Sequence, residues 1–214
     1  MSRCVIFCAA EFTGLLEPLR PDDFILAADG GYAHVQSLGL TPNGVLGDFD
    51  SLGYIPPQSL IFPVEKDDTD TMLAIKKGLE LGYKQFLLYG SLDGPRLDHT
   101  VANFQALRYL CDHGGQGFLI GNRYIVTAVK NGWLSFLPQA CGIISVFALG
   151  EKAEGVTLSG LQYPLTDGTL ECGFPLGVSN HFIGQESRIS VKNGCILVIF
   201  DRENGMPAGS YTTL

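Results

Sequence analysis

The 214-residue sequence predicts an α/β protein. Its N-terminal part reads as a mostly parallel sheet with helices on both faces, followed by a C-terminal all-β antiparallel sandwich. Three observations carry this. Short apolar runs alternate with helical patterns up to about residue 122, the rhythm of strand–helix–strand units around a parallel sheet. After residue 122 no helical periodicity persists, and β-rich runs are punctuated by glycine and proline. Acidic and glycine-rich segments recur just after the early strands, where open parallel sheets bind ligands. The expected domains are 1–122, α/β, and 123–214, all-β.

Cys4–Ala10 and Phe24–Ala28 read as buried strands, being short apolar runs. Gly44–Leu46 leads as a third strand into an acidic segment, and Ser59–Val64 is a fourth. Thr69–Leu81 predicts a helix with Met72, Ile75 and Leu79 on one face. Gln85–Tyr89 is the next strand. Asp98–Asp112 predicts a helix with Val101, Phe104, Leu107 and Cys111 aligned, stopped by Gly114-Gly115. Gly117–Ile120 is one more strand. Two Asn-Gly pairs, Asn131-Gly132 and Asn193-Gly194, each between β-rich runs, predict two β-hairpins. Ile143–Leu149 and Val156–Tyr163 are further strands, and the tail from Glu203 lacks periodicity.

Hydrophobic residues make up 46% and charged residues 17%, which excludes a disordered chain. The net charge of −8 is a poor match for nucleic acid or anionic membrane. The six cysteines form no CxxC pair and mostly lie in apolar runs, as buried thiols in a reducing compartment do. The apolar run at 4–10 is too short for a leader or a span and meets Glu11, so the expectation is a soluble cytoplasmic protein.

Six carboxylates fall between residues 48 and 70, mainly in Gly47-Asp48-Phe49-Asp50-Ser51 and Lys66-Asp67-Asp68-Thr69-Asp70-Thr71. Like charges gathered this closely call for a cation, and Mg²⁺ takes oxygen ligands alongside phosphates. Phosphoryl chemistry is therefore expected. Ala28-Asp29-Gly30-Gly31 and Ser91–His99 close two other strands, so four strand ends aim at one crevice. Each motif also has a plainer reading. Asp67, Asp68 or Thr69 suits a helix cap. Asp48 and Asp50 suit a turn, Gly30-Gly31 suits a turn, and His99 suits a helix start. Walker and GxGxxG sequences are absent.

This ordered set resembles the thiamine pyrophosphokinase family. The likeness rests on Ala28-Asp29-Gly30-Gly31, the two acidic segments, and Arg96-Leu97-Asp98-His99, with Gly160–Leu165 and Val178-Ser179-Asn180 in the second half. It spans roughly residues 3–200. The resemblance implies Mg²⁺-dependent transfer of the β,γ-diphosphate of ATP to the hydroxyl of thiamine, releasing AMP. It also implies a homodimer with the active site near the subunit interface and thiamine met by the C-terminal domain. On that basis Asp48, Asp50 and Asp70 are expected metal ligands, with Arg96 and Asp98 beside them in catalysis. Asp29, Gly30, Gly31, Lys66, Asp67 and Thr69, together with Arg96, His99, Ser179 and Asn180, are expected to bind the substrates. Two features depart from the family. Pro95 replaces the second glycine of a Gly-Gly-Arg loop, and the only tryptophan is Trp133. Other readings of the acids are a diphosphokinase for another heteroaromatic alcohol, a DxD metal-dependent transferase, and an inactive thiamine- or nucleotide-binding regulator.

Overall fold

A computed structural model describes residues 2–47, 59–61 and 68–211. Asp48, Asp50, Lys66 and Asp67 lie outside the described residues. The chain divides into two compact units, Met1–Ala106 with Gly117–Asn122, and Leu107–Gln116 with Arg123–Leu214.

Up to residue 122 strands and helices alternate. In chain order these are β1 (Cys4–Phe7), β2 (Phe24–Ala28), α1 (Gly31–Ser37), β3 (Gly44–Gly47), β4 (Ser59–Ile61), α2 (Asp70–Glu80), β5 (Gln85–Tyr89), α3 (Leu97–Asp112) and β6 (Gln116–Ile120). The strands lie in the order β6-β5-β1-β2-β3-β4. β1 pairs in parallel with both β2 and β5, and β2–β3 and β3–β4 are also parallel. Chain order therefore reverses at β1. Every residue of β1 is buried, as are Phe86–Tyr89 of β5, which explains why these strands read as unbroken apolar runs. Helices α1 and α2 pack on β1 and β2. Arg3, 3% exposed, is held bidentately by Asp23 at 2.8 and 2.6 Å and by Glu17. Burial alone would raise the Asp23 pKa. Its bonds from Arg3 and the Arg20 N–H outweigh burial and hold it below the ordinary carboxylate range.

Helix α1 was not legible in the sequence, because it is one short stretch opened by two glycines. Gly31 is there for contact. A Cβ on it would meet the Phe7 carbonyl oxygen at 1.9 Å and the Cys8 nitrogen at 2.9 Å. Alanine gains about 1 kcal/mol of helix propensity over glycine, but a backbone clash of this size costs more. Gly31→Ala is expected to destabilise the fold by roughly 2–3 kcal/mol net, read from the shift in urea midpoint at unchanged m-value.

Helix α2 begins where Thr69 caps it, its side chain accepting from the Met72 N–H at 3.2 Å. The buried face of α3 differs from the predicted one. Asn103, Ala106, Leu107, Leu110 and Cys111 are buried, an i, i+3, i+4, i+7, i+8 series, whereas Val101 is 49% exposed. The helix ends as expected. Gly114 has φ +70°, and the Gly115 N–H reaches back to Leu110 O at 2.8 Å.

The second unit holds β7 (Tyr124–Lys130), β8 (Trp133–Phe136), β9 (Ile143–Ala148), β10 (Lys152–Ser159), β11 (Leu165–Glu171), β12 (Gly177–His181), β13 (Ser187–Ser190), β14 (Cys195–Asp201) and β15 (Gly209–Tyr211). One set runs β12-β9-β14-β7 and the other β11-β10-β13-β8-β15, with antiparallel pairing in both among the described residues. Phe136 on β8 meets Phe200 on β14 edge-on at 4.9 Å, joining the two layers.

Neither predicted hairpin forms. β7 pairs with β14 over Tyr124–Lys130, and β8 pairs with β13. Each Asn-Gly pair is thus a corner at which the chain leaves one sheet for the other. A type I′ hairpin turn needs both central residues at positive φ. Here only Asn131 (φ +46°) and Gly194 (φ +106°) are left-handed. The two corners bond to each other instead: Asn131 N–H donates to Gly194 O at 3.1 Å, and Gly194 N–H to Asn131 Oδ1 at 2.9 Å. The aperiodic tail also has structure, since β15 adds to the edge of β8.

Candidate functional site

The ends of the parallel strands surround a cavity of about 570 Å³ in the first unit. Cys8–Ala10 follow β1, Ala28 and Asp29 close β2, and Gly90 and Ser91 follow β5. Asp68–Thr71 come from the start of α2. Gly94–Arg96, His99, Thr100 and Asn103 come from the loop before α3 and the helix itself. The cavity sits beyond the carboxyl end of β1, the strand at which chain order reverses. This is the topological switch point where open α/β sheets bind ligands.

The structure brings Asp29, Thr69, Asp70, Arg96 and His99 into this wall, as the sequence predicts. Asp29 has φ +45°, a conformation aspartate tolerates, and its N–H donates to Leu46 O at 2.7 Å. Asp70 occupies the first turn of α2, where the helix dipole favours an anion. Asp98 stands beside the wall and holds Arg96 through two bonds, Nε to Oδ1 at 3.1 Å and Nη2 to Oδ2 at 2.5 Å. That guanidinium holds the Asp98 carboxyl down at about 2. Asp68 is met at 2.7–2.8 Å by Lys76.

Gly30 and Gly31 do not line the cavity. Gly30 precedes the first turn of α1, and Gly31 is buried against β1. In the second unit, Asn180 is 3% exposed, and its amide is spent on the chain around it. Oδ1 accepts from the Tyr163 and His181 N–H groups at 2.9 Å, and Nδ2 donates to Tyr163 O at 2.7 Å. Ser179 beside it is left-handed (φ +58°) and exposed. The Trp133 ring is covered by the Arg188 guanidinium, 4.1 Å from its centroid.

Sequence reading missed Cys8, Thr100 and Asn103 in the wall and gave no individual role to Thr71 and Ser91. Asn103 lies off the predicted Val101, Phe104, Leu107 and Cys111 face, so it carried no signal. Nor did Cys8. Burial pushes its thiol up to about 12, so it is no nucleophile at neutral pH. The cysteines divide into buried Cys4, Cys8, Cys111 and Cys195 and exposed Cys141 and Cys172, so the expectation of burial holds for four of six. Iodoacetamide at neutral pH is expected to label Cys141 and Cys172 in the native protein and the other four only after denaturation, as peptide mass mapping would read directly.

Charge, donor set and position agree on one chemistry. Asp29, Asp68, Asp70 and Arg96 line one opening. Such a wall accepts a polyphosphate once a cation offsets the acids. Among the described residues no group of three or more His, Cys, Asp or Glu side chains is placed to hold a metal ion.

Comparison with known proteins points the same way. Residues 17–116 match the family model described as thiamin pyrophosphokinase, catalytic domain. Residues 137–196 match thiamin pyrophosphokinase, vitamin B1 binding domain. The thiamine pyrophosphokinase of Bacillus subtilis (strain 168) is 26% identical over 193 residues, covering 81% of this chain and 85% of that one. The crystal structure of thiamine pyrophosphokinase from Bacillus subtilis superposes with a TM-score of 0.81 at 22% identity, covering 94% of this chain and 99% of the other. That of Candida albicans gives 0.72 at 17% identity, covering 93% and 88%. At these identities the structures establish the fold. The two domain models lie in order on one chain and together cover most of it, and the catalytic model takes in most of the cavity wall. The chain belongs to the thiamine pyrophosphokinase family.

Proposed function

We propose that this protein is a thiamine diphosphokinase, which transfers the β,γ-diphosphate of ATP to the hydroxyl of thiamine and releases AMP. The observation that carries the reading is the switch-point cavity, lined by Asp29, Asp70 and Arg96 within the segment that matches the family's catalytic domain.

In this reading Asp70 holds Mg²⁺ with Asp48 and Asp50. The all-oxygen donor set suits that ion, and Asp70 already lines the cavity. When bound, Mg²⁺ offsets polyphosphate charge. Arg96 clamps phosphate oxygens through its planar fork, and Asp98 orients that fork. Pro95, also in the wall, has no N–H to offer a phosphate, which leaves more of the recognition to Arg96. Lys66, Asp67, Thr69 and His99 complete the nucleotide contacts, and Asp29 shapes the crevice floor. The acceptor hydroxyl attacks the β-phosphorus in line, a step that depends on positioning and charge compensation.

We assign residues 1–122 to nucleotide and metal binding and 123–214 to thiamine. Ser179 reaches the acceptor, while Asn180 fixes the Tyr163 loop beside it. A homodimer with the active site near the subunit interface belongs to the same reading. Tyr163, Phe174 and Leu176 are each more than half exposed in the second unit, the surface a partner subunit would cover. Unbridged cysteines support a cytoplasmic setting. Incubation with thiamine, ATP and Mg²⁺ tests the function. Thiamine diphosphate is expected with the metal and not with EDTA. Its absence under both conditions sinks the assignment.

A further inference from the structure

We infer that Asn103 is a specificity-determining residue that accepts a hydrogen bond from an exocyclic amino group on a heteroaromatic ring of one substrate. The inference rests on the diphosphotransferase reading and names a residue that the reading does not use.

Asn103 projects from α3 into the cavity wall and is 6% exposed. Its Nδ2 donates to Ser91 O at 2.7 Å. That carbonyl can only accept, so the amide cannot be turned over without setting two oxygens against each other. Ser91 is fixed in turn, 3% exposed, with its hydroxyl donating to Leu88 O at 2.8 Å. Asn103 therefore presents Oδ1 in one orientation. This oxygen has no hydrogen-bond partner among the described residues, and it is not one of the atoms sealed from solvent. An acceptor lies ready on a buried side chain, where leaving it unpaired on ligand binding is costly.

The surroundings select the donor. Cys8, Ala9, Ala10 and Ala28 line the same cavity with small apolar groups, which a flat ring can approach closely. The charged side chains Asp70 and Arg96 suit the polyphosphate. A ring lying against the small residues would bring an edge N–H to Oδ1. Both substrates carry such a group: adenine at position 6, and the pyrimidine of thiamine at position 4.

Two analogue pairs separate these sources. One compares ATP with purine riboside triphosphate, which lacks the 6-amino group. The other compares thiamine with its 4-oxo analogue. Each pair is measured by kcat/KM and by calorimetric Kd, in wild type and in Asn103→Ala. Wild type is expected to discriminate one pair by about tenfold to a hundredfold. Asn103→Ala is expected to bring that ratio within about threefold and leave the other pair's ratio unchanged, an effect that general destabilisation would not produce. If Asn103→Ala does not fold, Asn103→Gln, which moves the oxygen by one methylene, takes its place. Discrimination below about twofold for both pairs in wild type, or discrimination that survives the substitution, overturns the inference. Absence of turnover with binding intact overturns the diphosphotransferase reading alone, because the binding ratios still report on Asn103.

Discussion

Asp70→Asn is expected to lower kcat/KM by about 10³-fold, roughly 4 kcal/mol of transition-state stabilisation. Asp70 lines the cavity from the first turn of α2, and the proposal gives it a metal-holding role that a neutral amide fills poorly. The fold should survive. Thr69 still caps the helix, and the lost dipole interaction is worth only about 0.3–1 kcal/mol. Neighbouring Asp68 supplies the control. It lines the same cavity but is paired with Lys76 near the surface, so Asp68→Asn is expected to cost less than about tenfold. Steady-state kinetics at saturating and limiting Mg²⁺ read the difference. If Asp70→Asn and Asp68→Asn behave alike, the acids act as a diffuse field and Asp70 is no ligand.

Arg96→Ala is expected to reduce kcat by about 10²- to 10³-fold, the range for loss of a donor to developing phosphoryl charge. Arg96→Lys should recover only part of this, because an ammonium cannot copy the two-pronged fork that Asp98 holds at 3.1 and 2.5 Å. The pair also fixes a pH expectation. The Asp98 pKa is depressed to about 2 in the folded chain by Arg96, so the pairing is complete above the ordinary aspartate range and fades only as pH falls toward 2. No step in the rate between pH 5 and 9 should trace to Asp98. Asp98→Asn should therefore lower the plateau without changing the shape of the profile. An altered shape would mean that Asp98 itself exchanges a proton with the substrate.

The sequence was most legible where one physical signal ruled. β2 and β5 were predicted with their observed bounds, because two-sided burial in a parallel sheet leaves unbroken apolar runs. The end of α3 followed from Gly114. The second unit was harder. Asn131-Gly132 and Asn193-Gly194 carry the local signature of hairpins, yet their flanking strands pair across the two layers, a tertiary choice that no local window contains. At the site, chain order alone placed Asp29, Asp70 and Arg96 at strand ends that do converge. Gly31 was misread because a glycine that admits a ligand and one that admits a carbonyl look the same in sequence. Asn103 was passed over because a polar residue on a helix reads as solvent-facing until the buried stripe is known.

The central claim is a single attack at the β-phosphorus of ATP. ATP labelled at the β-phosphorus, incubated with thiamine and Mg²⁺, tests it most directly. Attack at the β-phosphorus puts all transferred label in thiamine diphosphate, with unlabelled AMP formed in equal amount and no ADP. Labelled ADP, with the β-phosphorus retained on the nucleotide, would contradict it and make the enzyme an ordinary kinase acting one phosphoryl group at a time.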